Sequence, residues 1–259
     1  MINPKNWLLL IKSRIVAVML YTTGFIGNLI AITDFRISPI LFTMSVSAAA
    51  LGTISTYVLS DLMDLNEDRL NSPNRPLPSG RVSVNEAKTL IILSLILAII
   101  IGLMINYLTA ILVLTAFILS SLYSFPFIRG KDRYYSKMLL SWMGGFVGTF
   151  TASAVVLKFS ILSLLVSSLN GSLIMILVMI GDVIDYEGDK KSGVKSLAVA
   201  FGIEKAIMAM KIVLAVIMGL IISIFYLSYN AVNPAFLLIG AAATMVAYRE
   251  LSALEGSGY

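Results

Sequence analysis

Apolar residues in this chain form long unbroken runs without period-two alternation, and polar residues collect between the runs. A helix needs about 20 apolar residues to cross the hydrocarbon layer, where only helices and closed barrels satisfy their backbone groups. Without an alternating pattern the runs read as helices and not as barrel strands. The pattern predicts spans at Ile15–Thr33, Pro39–Leu59, Thr89–Tyr107, Leu108–Phe127, Met138–Leu157, Ile161–Gly181, Ala206–Leu227 and Pro234–Tyr248. Lys211 interrupts the seventh, and the eighth is short. The expected fold is an all-α, polytopic transmembrane bundle, with residues 1–253 as one membrane-embedded domain. The first run is followed by others and has no small-residue cleavage site behind it, so it reads as a span and not as a signal peptide. Residues 254–259 (Leu-Glu-Gly-Ser-Gly-Tyr) read as a cloning linker and are set aside.

Composition agrees. Hydrophobic residues make up 58% of the chain, charged residues 13%, and the mean hydropathy is +0.93, against about 25% charged in a soluble domain. There is no cysteine and no histidine. That excludes disulfides, thiolate zinc sites, haem ligation by histidine and every Ser-His or Cys-His nucleophile. Catalysis must use carboxylates, Lys, Arg, Tyr, Ser or a bound cation.

Alternate crossing of eight spans places sixteen of the 19 Lys and Arg residues on one side, with Arg36 and Lys158 opposite and Lys211 inside a span. By the positive-inside rule the basic side is cytoplasmic, and the net charge of +5 needs no nucleic acid to explain it. The protein is expected in the cell membrane as a multi-pass chain. On the basic side the connection from Ser60 to Lys88 is long and holds three of the seven prolines. Long loops in compact proteins are usually functional, so the working face is expected to be cytoplasmic.

Eight of the 14 acidic residues fall in two stretches: Asp61, Asp64, Glu67 and Asp68, and Asp182, Asp185, Glu187 and Asp189. Each reads D-x-x-D-x-x-x-D and begins where an apolar run ends. On a continuous helix, offsets of three, four and seven share one face, so the three aspartates of each stretch are expected to point the same way. Like charges at that spacing repel by about 0.2–0.5 kcal/mol per exposed pair, so something positive should sit between them. Magnesium fits: it prefers oxygen and is held by one or two carboxylates together with substrate phosphates. The implied substrate is a diphosphate with an apolar tail, its remaining oxygens bound by Arg and Lys. A single aspartate at a span end is usually a solvated interface residue; a repeated triplet is not explained that way. An EF-hand needs acids at alternate positions and a central glycine, which Asp61–Asn71 lacks. The triplets begin 121 residues apart, each after the second span of a four-span block. This suggests two pseudo-repeated four-helix halves around a central cavity.

The residues from Thr56 to Ser83, TYVLSDLMDLNEDRLNSPNRPLPSGRVS, resemble the first aspartate-rich motif and Arg-Pro loop of the UbiA superfamily of intramembrane prenyltransferases. Those from Met179 to Gly202, MIGDVIDYEGDKKSGVKSLAVAFG, are similar to its second motif. With the hydropathy pattern the resemblance covers nearly the whole chain. It implies a helical bundle whose cavity opens sideways to the bilayer and holds a polyprenyl diphosphate. It further implies Asp64, Asp68, Asp185 and Asp189 as catalytic magnesium ligands, with Asp61 and Asp182 supporting them at the metal and the substrate. Arg75, Arg129 and Lys131 are the best cations for the diphosphate and Lys190 a weaker one; Ser60 and Tyr123 are further substrate contacts. Tyr123 is otherwise a packing residue, and the cations otherwise serve topology.

The departures concern the acceptor. Ser60 stands where the family usually has Asn, and Lys12-Ser13-Arg14-Ile15-Val16 looks more like the haem farnesyltransferase branch, whereas the second motif keeps the three aspartates of the lipid and quinone branches. The family usually has nine spans; eight are counted here. The expected reaction is geranylgeranyl transfer from its diphosphate to geranylgeranylglyceryl phosphate, with an aromatic quinone precursor or a tetrapyrrole as alternative acceptors. The rival of another class is a cation transporter, whose acidic sites usually lie near the midplane on broken helices. The Asp-Gly and following Ala-Arg of the CDP-alcohol phosphotransferases are absent.

Overall fold

The computed structural model describes residues 4–125 and 130–228. The described chain is built of helices joined by short connections and one longer loop at 72–83: α1 (Pro4–Ser13), α2 (Ile15–Thr33), α3 (Pro39–Met63), α4 (Leu65–Asn71), α5 (Val84–Ile105), α6 (Tyr107–Ser124), α7 (Tyr134–Val155), α8 (Ile161–Ile184), α9 (Tyr186–Ser192), α10 (Leu197–Phe201) and α11 (Ile203–Ser228), with a 3₁₀ turn at Gly130–Asp132. Among the described residues seven helices are long and apolar enough to cross a membrane. The protein is a multi-pass membrane protein. The expected eighth span, Pro234–Tyr248, the tail 254–259 and Arg129 lie outside the described residues.

The first span has the expected bounds; the others differ at their ends, for local reasons. Helix α5 begins at Val84 and not at Thr89, because Ser83 and Glu86 form a capping box that makes the polar first turn helical. The division between the third and fourth spans falls at Asn106, whose backbone is extended and whose side chain accepts from the Thr109 N–H and donates to the Ala154 carbonyl. Helix α7 starts at Tyr134 and not at Met138, after a short parallel bridge between Arg133 and Lys195. That bridge ties the connection before α7 to the one after α9. Helices α3 and α8 run four and three residues beyond their expected ends, Leu59 and Gly181, into the acidic stretches.

Large apolar side chains such as Val16, Met104 and Ile184 face outward, at 70% exposure or more, as expected where the surroundings are lipid. Inside, association rests on close packing and polar contacts. Helices α7 and α8 meet at Gly145 and Gly171, where a Cβ on Gly145 would lie 2.9 Å from the Gly171 Cα. Asn28 of α2 donates to the Thr149 carbonyl and to the Ser163 and Ser167 hydroxyls, joining α2, α7 and α8. One apolar cluster joins α8 to α11 around Met179 and Met210; another joins α1, α3, α5 and the 72–83 loop around Leu10, Val58, Leu77 and Leu90. Helix α1 is pinned to the start of α5 by Trp7 Nε1 donating to the Glu86 carbonyl (3.1 Å) and Asn6 donating to the Glu86 carboxylate (2.8 Å). This docking fixes Arg14 at the head of α2.

Candidate active site

Both acidic stretches interrupt their helix at the middle aspartate. Asp64 (φ −92°, ψ 6°) separates α3 from α4, and Asp185 (φ −90°, ψ 9°) separates α8 from α9. Each donates its N–H to the carbonyl four residues earlier, Ser60 and Gly181, and is followed by a seven-residue helix. The sequence repeat is thus a backbone repeat at this point. Despite the break, Asp61 and Asp68 still share a side, with the Arg75 Nη1 at 3.8 Å from the first and 2.9 Å from the second.

Each aspartate of the first motif has a basic partner. Asp61 is buried and accepts from Arg14 through Nε (2.9 Å) and Nη2; Asp64 accepts from Lys131 Nζ (2.7 Å); Asp68 accepts from Arg75 Nη1 (2.9 Å), which also lies 3.8 Å from Asp61. In the second motif Asp182 is fully buried, accepting from Lys137 Nζ and from the Leu197 N–H (2.9 Å). In the structure the positive charge beside these acids comes from Arg and Lys side chains. Burial alone would lower the Arg14 pKa, but its bond to Asp61 and the field of Asp61 and Asp68 raise it above the ordinary arginine value. Burial, together with the charges of Asp182 and Asp185, raises the Asp189 carboxyl above the usual carboxylate range, against the pull of Lys137. Arg14 and Lys137 were not among the sequence candidates. Both were visible only as cytoplasmic positive charge, and nothing local marked them as partners of buried aspartates.

A cavity of about 490 Å³ opens between the two motifs, within the usual range for small-molecule sites. Its polar mouth is lined by Arg14, Ser60, Asp64, Arg75, Lys131 and Asp185, with Tyr123 and Ser124 beside them. From there it runs past Tyr21, Tyr57, Gly52 and Gly144 to Phe25, Ala48, Val113, Phe117, Gly148 and Thr151. Ser60 and Ala48 are twelve residues apart on α3, so the cavity extends about 18 Å along that helix at 1.5 Å per residue. Of the sequence candidates, Ser60, Asp64, Arg75, Tyr123, Lys131 and Asp185 come together at this cavity. Asp61, Asp68, Asp182, Asp189 and Lys190 do not line it; the Lys190 ammonium sits 5.5 Å from the Tyr186 ring centroid. Tyr21 and Tyr57, not anticipated, form an edge-to-face pair 5.8 Å apart in the wall, with the Arg14 guanidinium over Tyr57.

Among the described residues no three acids stand close enough to form an all-protein cation cage. Asp64 and Asp185, one from each motif, nevertheless share a cavity with no sulfur or imidazole donor near it. Two carboxylates open to a phosphate-sized space are the donor set that suits magnesium, which keeps waters and substrate oxygens in its shell. The residues present fit the ion.

Residues 19–255 match the UbiA prenyltransferase family. The chain is 25% identical over 213 residues to the digeranylgeranylglyceryl phosphate synthase of Sulfurisphaera tokodaii, covering 80% of this chain and 74% of that one. It is 31% identical over 201 residues to the synthase of the same name from Methanocaldococcus jannaschii, covering 76% and 68%. Its fold matches the structure of a UbiA homologue from Archaeoglobus fulgidus bound to GPP and Mg2+, with a TM-score of 0.77, 22% identity, and 96% of this chain and 87% of that one covered. A helical membrane bundle, two aspartate motifs meeting at one cavity and a match over nearly the full length lead to one assignment: the chain belongs to the UbiA prenyltransferase family and is a membrane-embedded prenyltransferase.

Proposed function

We propose that the protein transfers a geranylgeranyl group from geranylgeranyl diphosphate to the glycerol hydroxyl of geranylgeranylglyceryl phosphate, on the cytoplasmic face and with Mg2+. The observation that carries this reading is the meeting of Asp64 and Asp185 with Arg75 and Lys131 at the mouth of a cavity lined deeper in by aromatic, small apolar and hydroxyl side chains. The acceptor rests on the curated relatives, which bear the name of that synthase, and the orientation on the excess of Lys and Arg on one side.

In this reading Asp64 and Asp185 hold the ions at the cavity, Asp68 and Asp189 complete the set, and Asp61 and Asp182 support it from their ion pairs. Magnesium supplies Lewis-acid stabilisation of the charge that grows on the departing diphosphate. Arg75 and Lys131, with Arg129 and Lys190 from the same face, bind its remaining oxygens. The bond between the first prenyl carbon and the diphosphate oxygen breaks, its electron pair leaving with the diphosphate, and the acceptor oxygen bonds to that carbon. With no His or Cys in the chain, the hydroxyl proton passes to a carboxylate or to the diphosphate. The negative faces of Tyr21, Tyr57 and Tyr123 stabilise the allylic cation, and the apolar walls keep water from it.

The depth of the cavity should set donor length. A Cβ on Gly148 would have Tyr21 Cδ1 at 3.8 Å as its nearest neighbour, so alanine fits and a larger side chain projects into the space for the tail. Gly148→Phe is expected to cut kcat/KM for geranylgeranyl diphosphate by about tenfold or more, the scale of a few lost methylene contacts, while geranyl diphosphate is still used and Gly148→Ala behaves as wild type. Equal losses with both donors would place the tail elsewhere.

The reading is tested by incubating purified protein with radiolabelled geranylgeranyl diphosphate and lipid, aromatic and tetrapyrrole acceptors, with magnesium or EDTA. A magnesium-dependent product from geranylgeranylglyceryl phosphate is expected. Product from an aromatic or tetrapyrrole acceptor alone would move the acceptor assignment. No product from any of these acceptors, with magnesium-dependent donor binding intact, would point to an acceptor of another class.

A further inference from the structure

A second cavity, about 330 Å³, lies between α2 and α8. Its walls are apolar, built from Val16, Ala17 and Leu20 on one side and Leu177 and Val178 on the other. Val16 and Leu177 are 77% and 51% exposed, so the groove faces outward, toward lipid. At one end it stops at Ser13 and Arg14, and it shares Arg14, Tyr57, Ile174 and Val178 with the reaction cavity. Among the described residues Arg14 is the one cation lining both spaces. Its Nε and Nη2 are engaged by Asp61, while Nη1 makes no hydrogen bond to a described residue.

Joining two tailed substrates requires two apolar lodgings that meet where the head groups react. The donor's diphosphate has Asp64, Asp185, Arg75 and Lys131 at the mouth of the larger cavity. The α2–α8 groove offers the second lodging, with one guanidinium, held by Asp61, at its head. We infer that this groove and Arg14 form the acceptor subsite: the acceptor is an anionic glycerolipid whose tail lies between α2 and α8 and whose phosphate is bound by Arg14. The charge of the groove's head end and its continuity with the reaction cavity select this occupant over an uncharged bilayer lipid. The inference rests on the proposed reaction and adds the place and charge of its second substrate.

The test is steady-state kinetics at saturating geranylgeranyl diphosphate and magnesium, with geranylgeranylglyceryl phosphate and its dephosphorylated counterpart, geranylgeranylglycerol, as acceptors. Ala17→Trp fills the groove from a half-buried position in its wall and is expected to raise the KM for the phosphorylated acceptor about tenfold or more, with the KM for the donor unchanged. Arg14→Gln is expected to lower kcat/KM for the phosphorylated acceptor about tenfold more than for the alcohol, the loss of one charge-assisted bond, and Arg14→Lys should recover part of it. The unfolding midpoint of each variant in detergent reports whether the fold is intact. If Arg14→Gln destroys the fold, Ala17→Trp decides the matter alone. Wild-type turnover of the phosphorylated acceptor, with its KM unmoved by Ala17→Trp or with the donor KM raised instead, overturns the subsite and leaves the proposed reaction standing. Absence of wild-type product from that acceptor overturns both.

Discussion

Asp64→Asn and Asp185→Asn are each expected to lower the rate of prenyl transfer by about 10²–10³-fold, the usual cost of removing one electrostatic contact to a developing anion. Each change keeps the shape of the side chain and removes its charge. At position 64 the fold should survive, because the Asp64 side chain is 24% exposed and the amide oxygen of asparagine can still accept from Lys131. Lys131 also remains at the mouth to meet a phosphate. The loss should therefore appear in turnover and in magnesium dependence while the unfolding midpoint stays near wild type. Wild-type turnover in either variant would remove these two aspartates from the reaction.

Lys137→Met is expected to act in the opposite way, through stability. Asp182 has no exposed surface, and its charge is met by Lys137 and the Leu197 N–H. Removing one partner of a buried pair typically costs about 3–5 kcal/mol, because the remaining charge is left uncompensated. The variant should unfold at markedly lower temperature in detergent. Lys137→Met combined with Asp182→Asn should regain much of that loss, since the amide carries no charge and its oxygen still accepts from Leu197. A double variant no more stable than Lys137→Met would mean that burial of the Asp182 charge is not what Lys137 offsets.

The spans were legible because a 20-residue apolar run has few alternatives in a chain this poor in charge, and the described spans fall where hydropathy puts them. Their ends were less so. Apolarity stops at Leu59 and Gly181, but the helical hydrogen bonds continue to Met63 and Ile184, and a polar first turn at Val84 is made helical by its cap. The aspartate motifs were legible as a repeat. Their geometry was not, since no Gly or Pro stands at or next to Asp64 or Asp185 and the interruption there appears only in the backbone angles. The partners Arg14 and Lys137 reach Asp61 and Asp182 across 47 and 45 residues, a relation that no local pattern encodes. The same holds for Tyr21 and Tyr57, whose place in the cavity wall depends on how α2 packs beside α3.

The central claim is that one aspartate from each motif, through magnesium, holds a single diphosphate between two halves of the bundle. It is tested most directly by titrating geranylgeranyl diphosphate into the purified protein, with magnesium and with EDTA, for wild type, Asp64→Asn, Asp185→Asn and the double variant. The account predicts binding that weakens by about tenfold or more without magnesium, and by a similar factor in each single variant. In the double variant little magnesium dependence should remain. Equal affinity in EDTA, or full magnesium dependence in the double variant, would contradict it.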